Sequence, residues 1–393
     1  MRFPKSTKTA GAAALALTLS ISPVASLLPG FTSSAFAVQS IKEPSIASWD
    51  LELQHAPFTK NGVLLVPVKE LTEYMDLRII QSTNKKFIYI SSPNQSVRIT
   101  PGQSRAINAK GTILALETAP TVRHGVTYVP ASLLAKGFGI HLKSKGKSIV
   151  SIQGSAREHV SAAAGNMLIW LNRETLQLSM GEIGKLPEAA GKITLENVDW
   201  VNFKARKVNA LSYVVEINNW HGEPHIHETY VRALLHKGKI VKQGATHFTN
   251  FPGINTKLNI NGYKGNVVVM DGSTLQLVHP TGKVVKTYDL AAITGVEDDF
   301  VVEAIENDFL LVRPYKAATL FIVHPVLKKA VLIYPDLLDE ETQKMIREYP
   351  PNEAGFVGDG LAYTGYTNQE LTFTFNYPLL NTKNKRFSYK PPF

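Results

Sequence analysis

Eleven histidines and the absence of any cysteine limit the side-chain chemistry open to this 393-residue chain. Three of those histidines, His221, His225 and His227, fall within NWHGEPHIHET. On a strand His225 and His227 would share one face, a spacing that presents two imidazoles to Zn²⁺ or Cu²⁺, with Glu223 or Glu228 as an added oxygen ligand. Gly222 and Pro224 point instead to a loop carrying solvated imidazoles, so no metal site is assigned and no cofactor is expected. His227-Glu228 opens like the zinc-protease motif His-Glu-x-x-His, but Val231 stands where the second histidine belongs. The densest acidic run, Glu297, Asp298, Asp299, Glu303, Glu306 and Asp308, lacks the Asp-x-Asp-x-Asp-Gly order of a calcium loop and reads as a solvated connection. There is no Gly-x-Ser-x-Gly elbow, no phosphate-cradling glycine loop and no dinucleotide fingerprint. Carboxylate pairs for glycoside hydrolysis are a matter of spatial separation, which a sequence does not display. Tyr363, Tyr366, Phe373, Phe375 and Tyr377 would suit a sugar-binding surface, yet the alternation of Phe373 and Phe375 fits one buried strand face better. The catalytic residues are therefore unknown, and an enzyme is the less favoured reading.

The elements that must position these groups begin with a stretch that occurs twice. Residues 56–90 and 119–152 align at an offset of 63, which places Ala56-Pro57 on Ala119-Pro120, Gly62-Val63 on Gly125-Val126, and Val66-Pro67 on Val129-Pro130. Asn61-Gly62 and His124-Gly125 supply the positive φ angles of tight hairpin turns. The β-branched runs after them predict short strands, and Pro67 and Pro130 end those strands where a helix can begin. Leu71 and Met75, like Leu134 and Phe138, are four apart and would face one core. Gly139 suits a left-handed helix end, whereas the first copy has Asp76 there.

This order of turn glycine, apolar strand ending in Val-Pro, short helix and two strands resembles the copper amine oxidase N-terminal-like domain, the "stalk" module of many secreted Gram-positive bacterial proteins. The resemblance covers about residues 50–153. It implies an extracellular accessory domain and no amine oxidase activity, because in that family the module lies apart from the copper and the quinone.

Residues 1–37 read as a signal peptide: Arg2, Lys5 and Lys8 precede an apolar run too short to span a bilayer, and Ala35-Phe36-Ala37 fits the cleavage rule. No transmembrane span is expected after cleavage, and the protein is expected to be secreted, with cell-wall association. The chain carries 42 basic and 32 acidic residues and a pI of about 9.4. Residues 38–158 hold fifteen basic and eight acidic residues, whereas 159–393 are balanced, so the excess of the mature chain lies on the repeat module. For an exported protein the expected partner is anionic cell-wall polymer or polysaccharide rather than nucleic acid. Arg123, Lys136, Lys143, Lys145 and Lys147 are the candidate polyanion-binding residues, the last three alternating as on one strand face.

Residues 153–165 are small and polar enough for a linker, which divides the mature chain into 38–155 and 156–393. Beyond it, strand cycles recur over 165–180, 208–241, 265–290 and 300–338, with a partial fifth over 358–375. Val278-His279-Pro280 and Val323-His324-Pro325 hold the same station in two of them. The fold expected is mainly β: a small α+β module with a duplicated strand-strand-helix-strand-strand unit, then a β-propeller-like domain, with a β-sandwich as the alternative. The function expected is a non-enzymatic envelope protein whose basic module docks to the wall while the second domain offers a binding surface. The rival expectation is a secreted polysaccharide hydrolase or lyase. The oligomeric state is not legible.

Overall fold

In the duplicated module, Val66 of one copy lies opposite its own counterpart, Val129, in the other. The strands Val63–Pro67 and Val126–Pro130 pair antiparallel there, flanked by Phe58–Lys60 and Thr121–Arg123, so a local two-fold axis relates the copies. The hairpin turns have the expected geometry: Asn61 and Gly62 take φ of 51° and 78°, His124 and Gly125 of 50° and 79°. Such paired positive angles match the twist of the strands they join.

These features belong to a computed structural model, which describes residues 46–393 apart from 156, 223–225, 250–258, 352, 354 and 381. The predicted signal peptide lies outside the described residues. Ser45–Phe393 form one compact unit.

The second-copy helix, Ala131–Phe138, buries Leu133 and Leu134 and ends at Gly139, whose φ of 68° closes it in the left-handed conformation. The first-copy helix is only Val68–Leu71. Asp76, which lacks glycine's freedom, does other work: it accepts hydrogen bonds from the backbone N–H of His159 at 2.9 Å and of Glu158 at 3.3 Å, and lies 2.7 Å from the His159 ring. Each copy closes on a further sheet. Arg78–Gln81 and Ile88–Ser91 extend into a five-stranded meander that runs to Ala115, while Ile149–Ser155 is flanked by His141–Ser144 and Ile46–Glu52. One core, running from Leu51 to Ile152 and including Leu71, Met75 and Leu134, is drawn wholly from the module.

The predicted linker is shorter than the composition suggests. Strand structure continues through Ser155 and resumes at His159. Small residues such as Gly154 sit under Met75 and Ile140, and so serve close packing and not flexibility.

Five antiparallel meanders then follow in sequence order. The first sheet holds His159–Ala164, Met167–Asn172, Gln177–Glu182 and Glu188–Lys192; the second holds Trp200–Lys207, Ser212–His221, His227–His236 and Lys239–Thr249. The third runs from Gly262–Tyr263 to Val284–Asp289, the fourth from Phe300–Ile305 to Lys329–Leu332, and the three-stranded fifth from Leu361–Thr367 to Thr382–Tyr389. Middle strands such as Asn266–Asp271 and Leu310–Pro314 are almost wholly apolar because each serves two neighbours, one with even and one with odd positions. Val267 and Val269 pack on Val214 and Leu234 of the second sheet, while Val268 and Met270 pack on Val302 and Val312 of the fourth. Leu310 and Val312 face the third sheet, and Leu311 faces Phe373 and Phe375 of the fifth. None of these clusters joins the fifth sheet to the first among the described residues.

Candidate functional site

The second sheet presents the most unusual surface, because one of its faces is polar across three strands. In-register pairing sets Trp200, Asn202 and Lys204 beside Trp220, Asn218 and Glu216, and those beside Glu228, Tyr230 and Arg232. Exposure falls across the rows: Trp200 is 67% exposed, the second row is half-buried, and Glu228, Tyr230 and Arg232 are buried. The innermost row is held by hydrogen bonds, although Arg232 Nε has no partner among the described residues. Arg232 donates to the carbonyls of Ile260 at 2.7 Å and Val268 at 2.8 Å, and to Glu216 at 2.8 Å, tying the second sheet to the third. Arg206 continues the outer row and donates to the Asn261 carbonyl at 3.0 Å. Burial and the Arg232 charge lower its pKa, with Glu216 acting the other way. Burial pushes the Glu228 carboxyl up, partly offset by hydrogen bonds from Asn218 and Trp220. Nearby, burial pushes the Tyr315 hydroxyl up to about 12, against its contact with Thr246.

Along the edge of this face runs an open cleft of about 320 Å³, between His159–Ala164 of the first sheet and Trp200–Lys207 of the second. Val160 and Ser161 line one side, Trp200 to Phe203 the other, with Trp220 and the exposed Arg157. Arg157 donates to the carbonyls of Glu73 at 3.1 Å and His159 at 3.2 Å. Arg173, close by, donates to the Asp199 carbonyl at 2.7 Å. Neither guanidinium has a carboxylate partner among the described residues.

The predicted residues fall elsewhere. His221 and His227 do not lie in a loop: they end and begin paired strands, directly opposite one another, with rings stacked at 5.3 Å. The strand pairing extends further toward the hairpin tip than Gly222 and Pro224 suggest. Burial, and then the neighbouring His227, lowers the His221 pKa. His225 lies outside the described residues. Among the described residues no group of three or more His, Asp or Glu is placed to hold a metal.

The basic candidates are dispersed. Lys143 stands on the strand His141–Ser144, but Lys145 and Lys147 lie in the turn that follows, so the three do not form one strand face. Lys145 pairs with Asp50 at 3.0 Å, Lys136 with Glu117 at 2.7 Å, and Arg123 stacks 4.3 Å over the Phe58 ring. Hydrogen bonds from Lys136 and Ser132 bring Glu117 down to about 2. Lys143 and Lys147 are exposed.

The acidic run is spread through the fold's framework. Asp298 accepts from the Lys316 N–H, Asp299 from that of His247, and Glu303 pairs with Arg313. Phe373, Phe375 and Tyr377 are core, with Tyr363 and Tyr366 packed against it. His279 and His324 share their station for a local reason: each imidazole accepts a backbone N–H of the turn after its strand. Trp200 and Trp220 were not singled out by the sequence, although an exposed tryptophan in a polar strand is the signal that would have found them.

Residues 46–152 match the copper amine oxidase N-terminal domain. No curated protein matches the chain. Among solved structures, similarity extends to a nidogen/laminin complex at 11% identity, covering 72% of this chain and 92% of that one with a TM-score of 0.22. It extends also to apo AztD from Citrobacter koseri at 8% identity, covering 65% and 84% with a TM-score of 0.22. Scores of this size carry no argument.

Proposed function

We propose that this chain is a secreted, non-enzymatic protein of the cell envelope, whose module 46–152 docks to anionic wall polymer while the five-sheet array offers a binding surface. The observation that carries this reading is the segregation of charge: fifteen basic residues against eight acidic over residues 38–158, and equal numbers beyond. The match of residues 46–152 supports an accessory role for that module. Ion pairs neutralise Lys136 and Lys145, which leaves exposed Lys143 and Lys147 as the foremost groups for a polyanion. The five successive meanders support a propeller-like array, with a β-sandwich arrangement as the alternative. The open cleft on this array has no carboxylate among its lining residues, which favours binding over hydrolysis.

The test is co-sedimentation of the full chain with purified cell walls, intact or stripped of their anionic polymer. Retention on intact walls and release from stripped ones is the expected result. Equal retention on both overturns the reading.

A further inference from the structure

We propose that the cleft between the first and second sheets is a saccharide-binding site that takes an acidic oligosaccharide, an inference that rests on reading the array as a binding surface. Trp200 is the first ground. An indole left 67% exposed, on a strand whose neighbouring face positions are Asn202 and Lys204, contributes little burial to the fold. Its flat face, negative at the ring centre, suits the C–H-lined face of a pyranose ring. Trp220 lies directly opposite on the next strand and lines the same cleft, so the aromatic wall is two indoles wide.

Length and polarity agree with this ligand. Trp200, Asn202 and Lys204 recur at every second residue, a span of about 13 Å at the strand rise, which is the reach of a short oligosaccharide. Ser161 and Asn202 offer the hydroxyl and carboxamide that ring hydroxyls exchange for water.

Charge selects the acidic member of the class. Arg157 lines the cleft and Arg173 holds the carbonyl of Asp199, the residue before Trp200, and among the described residues both guanidiniums donate to backbone oxygens and to no carboxylate, with Arg173 Nε left without a partner. Arg157 is the cation that lines the cleft, and Lys204, on the same strand as Trp200, lies beyond it beside Glu216. The Asp199 carboxylate acts on His221, on the opposite face of the sheet. A carboxylate on the sugar supplies the counter-charge that Arg157 lacks among the described residues, through a charge-assisted hydrogen bond.

The experiment titrates the full chain with a galacturonate tetramer and, separately, a galactose tetramer, following tryptophan emission. Trp200 is the exposed reporter and Trp170 is buried. A saturable change with the acidic tetramer is expected, at least tenfold weaker in Trp200→Ala and partly kept in Trp200→Phe. Arg157→Gln should weaken the acidic tetramer at least fivefold and leave the neutral one unchanged; circular dichroism confirms that each variant is folded. No saturable response to either tetramer, or a response that Trp200→Ala leaves intact, overturns the site. Equal binding of the two tetramers overturns its preference for acid. Because these probes do not involve Lys143 or Lys147, the Lys143→Glu, Lys147→Glu double variant should bind the tetramer normally. A chain that binds the tetramer but not walls keeps the site and sinks the docking role; the converse keeps docking and sinks the site.

Discussion

Replacing Asp359 by alanine should detach the fifth sheet from the fourth, and the size of the effect follows from what that carboxylate holds. Asp359 is fully buried and accepts from Arg313 Nη1 at 2.6 Å, from the Leu320 N–H at 2.6 Å and from the Leu361 N–H at 3.0 Å. Burial alone would lower the Arg313 pKa, but Asp359 and Glu303 together raise it, so the guanidinium is held charged in the interior. It also donates to the carbonyls of Ala318 and Leu361, the second being the first residue of the fifth sheet. Alanine removes the acceptor that the Leu320 and Leu361 N–H groups share and leaves Arg313 with Glu303 as its carboxylate partner among the described residues. Breaking a buried pair in this way costs about 3–5 kcal/mol. The fifth sheet packs on the fourth, and no core cluster joins it to the first among the described residues, so the loss should appear as local opening. The assay is hydrogen exchange read by mass spectrometry. Amides of Leu361–Thr367 and Glu370–Tyr377 should lose roughly two to three decades of protection, at about 1.4 kcal/mol per decade, while those of the first sheet hold theirs. Lys145→Gln, which breaks an exposed pair, should shift stability by less than about 1 kcal/mol. A loss under tenfold in the fifth sheet, or equal losses everywhere, would refute the reasoning.

Two further outcomes are expected. Residues 38–155 expressed alone should melt cooperatively, because their core draws on no residue beyond Ile152; a non-cooperative melt would show that contacts such as Asp76 to His159 are required for the fold. Glu228→Gln should raise stability at pH 7 and leave it unchanged near pH 4. The folded carboxyl pKa is raised by burial, so its contribution is fully present below the unfolded value and is lost as pH rises through the folded one. Denaturant midpoints at the two pH values check this, and a destabilised variant at pH 7 would mean that the Asn218 and Trp220 hydrogen bonds to the carboxylate outweigh its burial.

Much of the framework was legible because turns punctuate it. Gly62, Gly125 and Gly139 sit where only a positive φ will serve, and Gly272 and Gly282, with φ of 57° and 97°, lie in the third sheet's turns. The module's extent followed from its internal repeat and family resemblance, and the strand cycles and the burial of Phe373 and Phe375 followed from periodicity. The site did not, for a physical reason. Trp200–Lys207 alternates exposed polar residues with only partly buried apolar ones, so it lacks the apolar run that marks a central strand. Trp200 and Trp220 are brought opposite one another by strand register, which depends on the tertiary fold. The lysines misled in the opposite direction. Their alternation suggested one strand, but the strand ends at Ser144 and turns.

The central claim is that exposed charge on the module holds this protein to the wall, and the salt dependence of wall binding tests it most directly. Lys143→Glu with Lys147→Glu changes the charge by four and lowers the excess on residues 38–158 from seven to three, at two exposed positions. The screening length falls from about 10 Å at 0.1 M salt to about 3 Å at 1 M. Wild-type protein should therefore sediment with intact walls at 0.1 M and stay in solution at 1 M, and the double variant should stay in solution at both. Wild-type binding that persists at 1 M salt, or a double variant that binds as well as the wild type at 0.1 M, would contradict the claim.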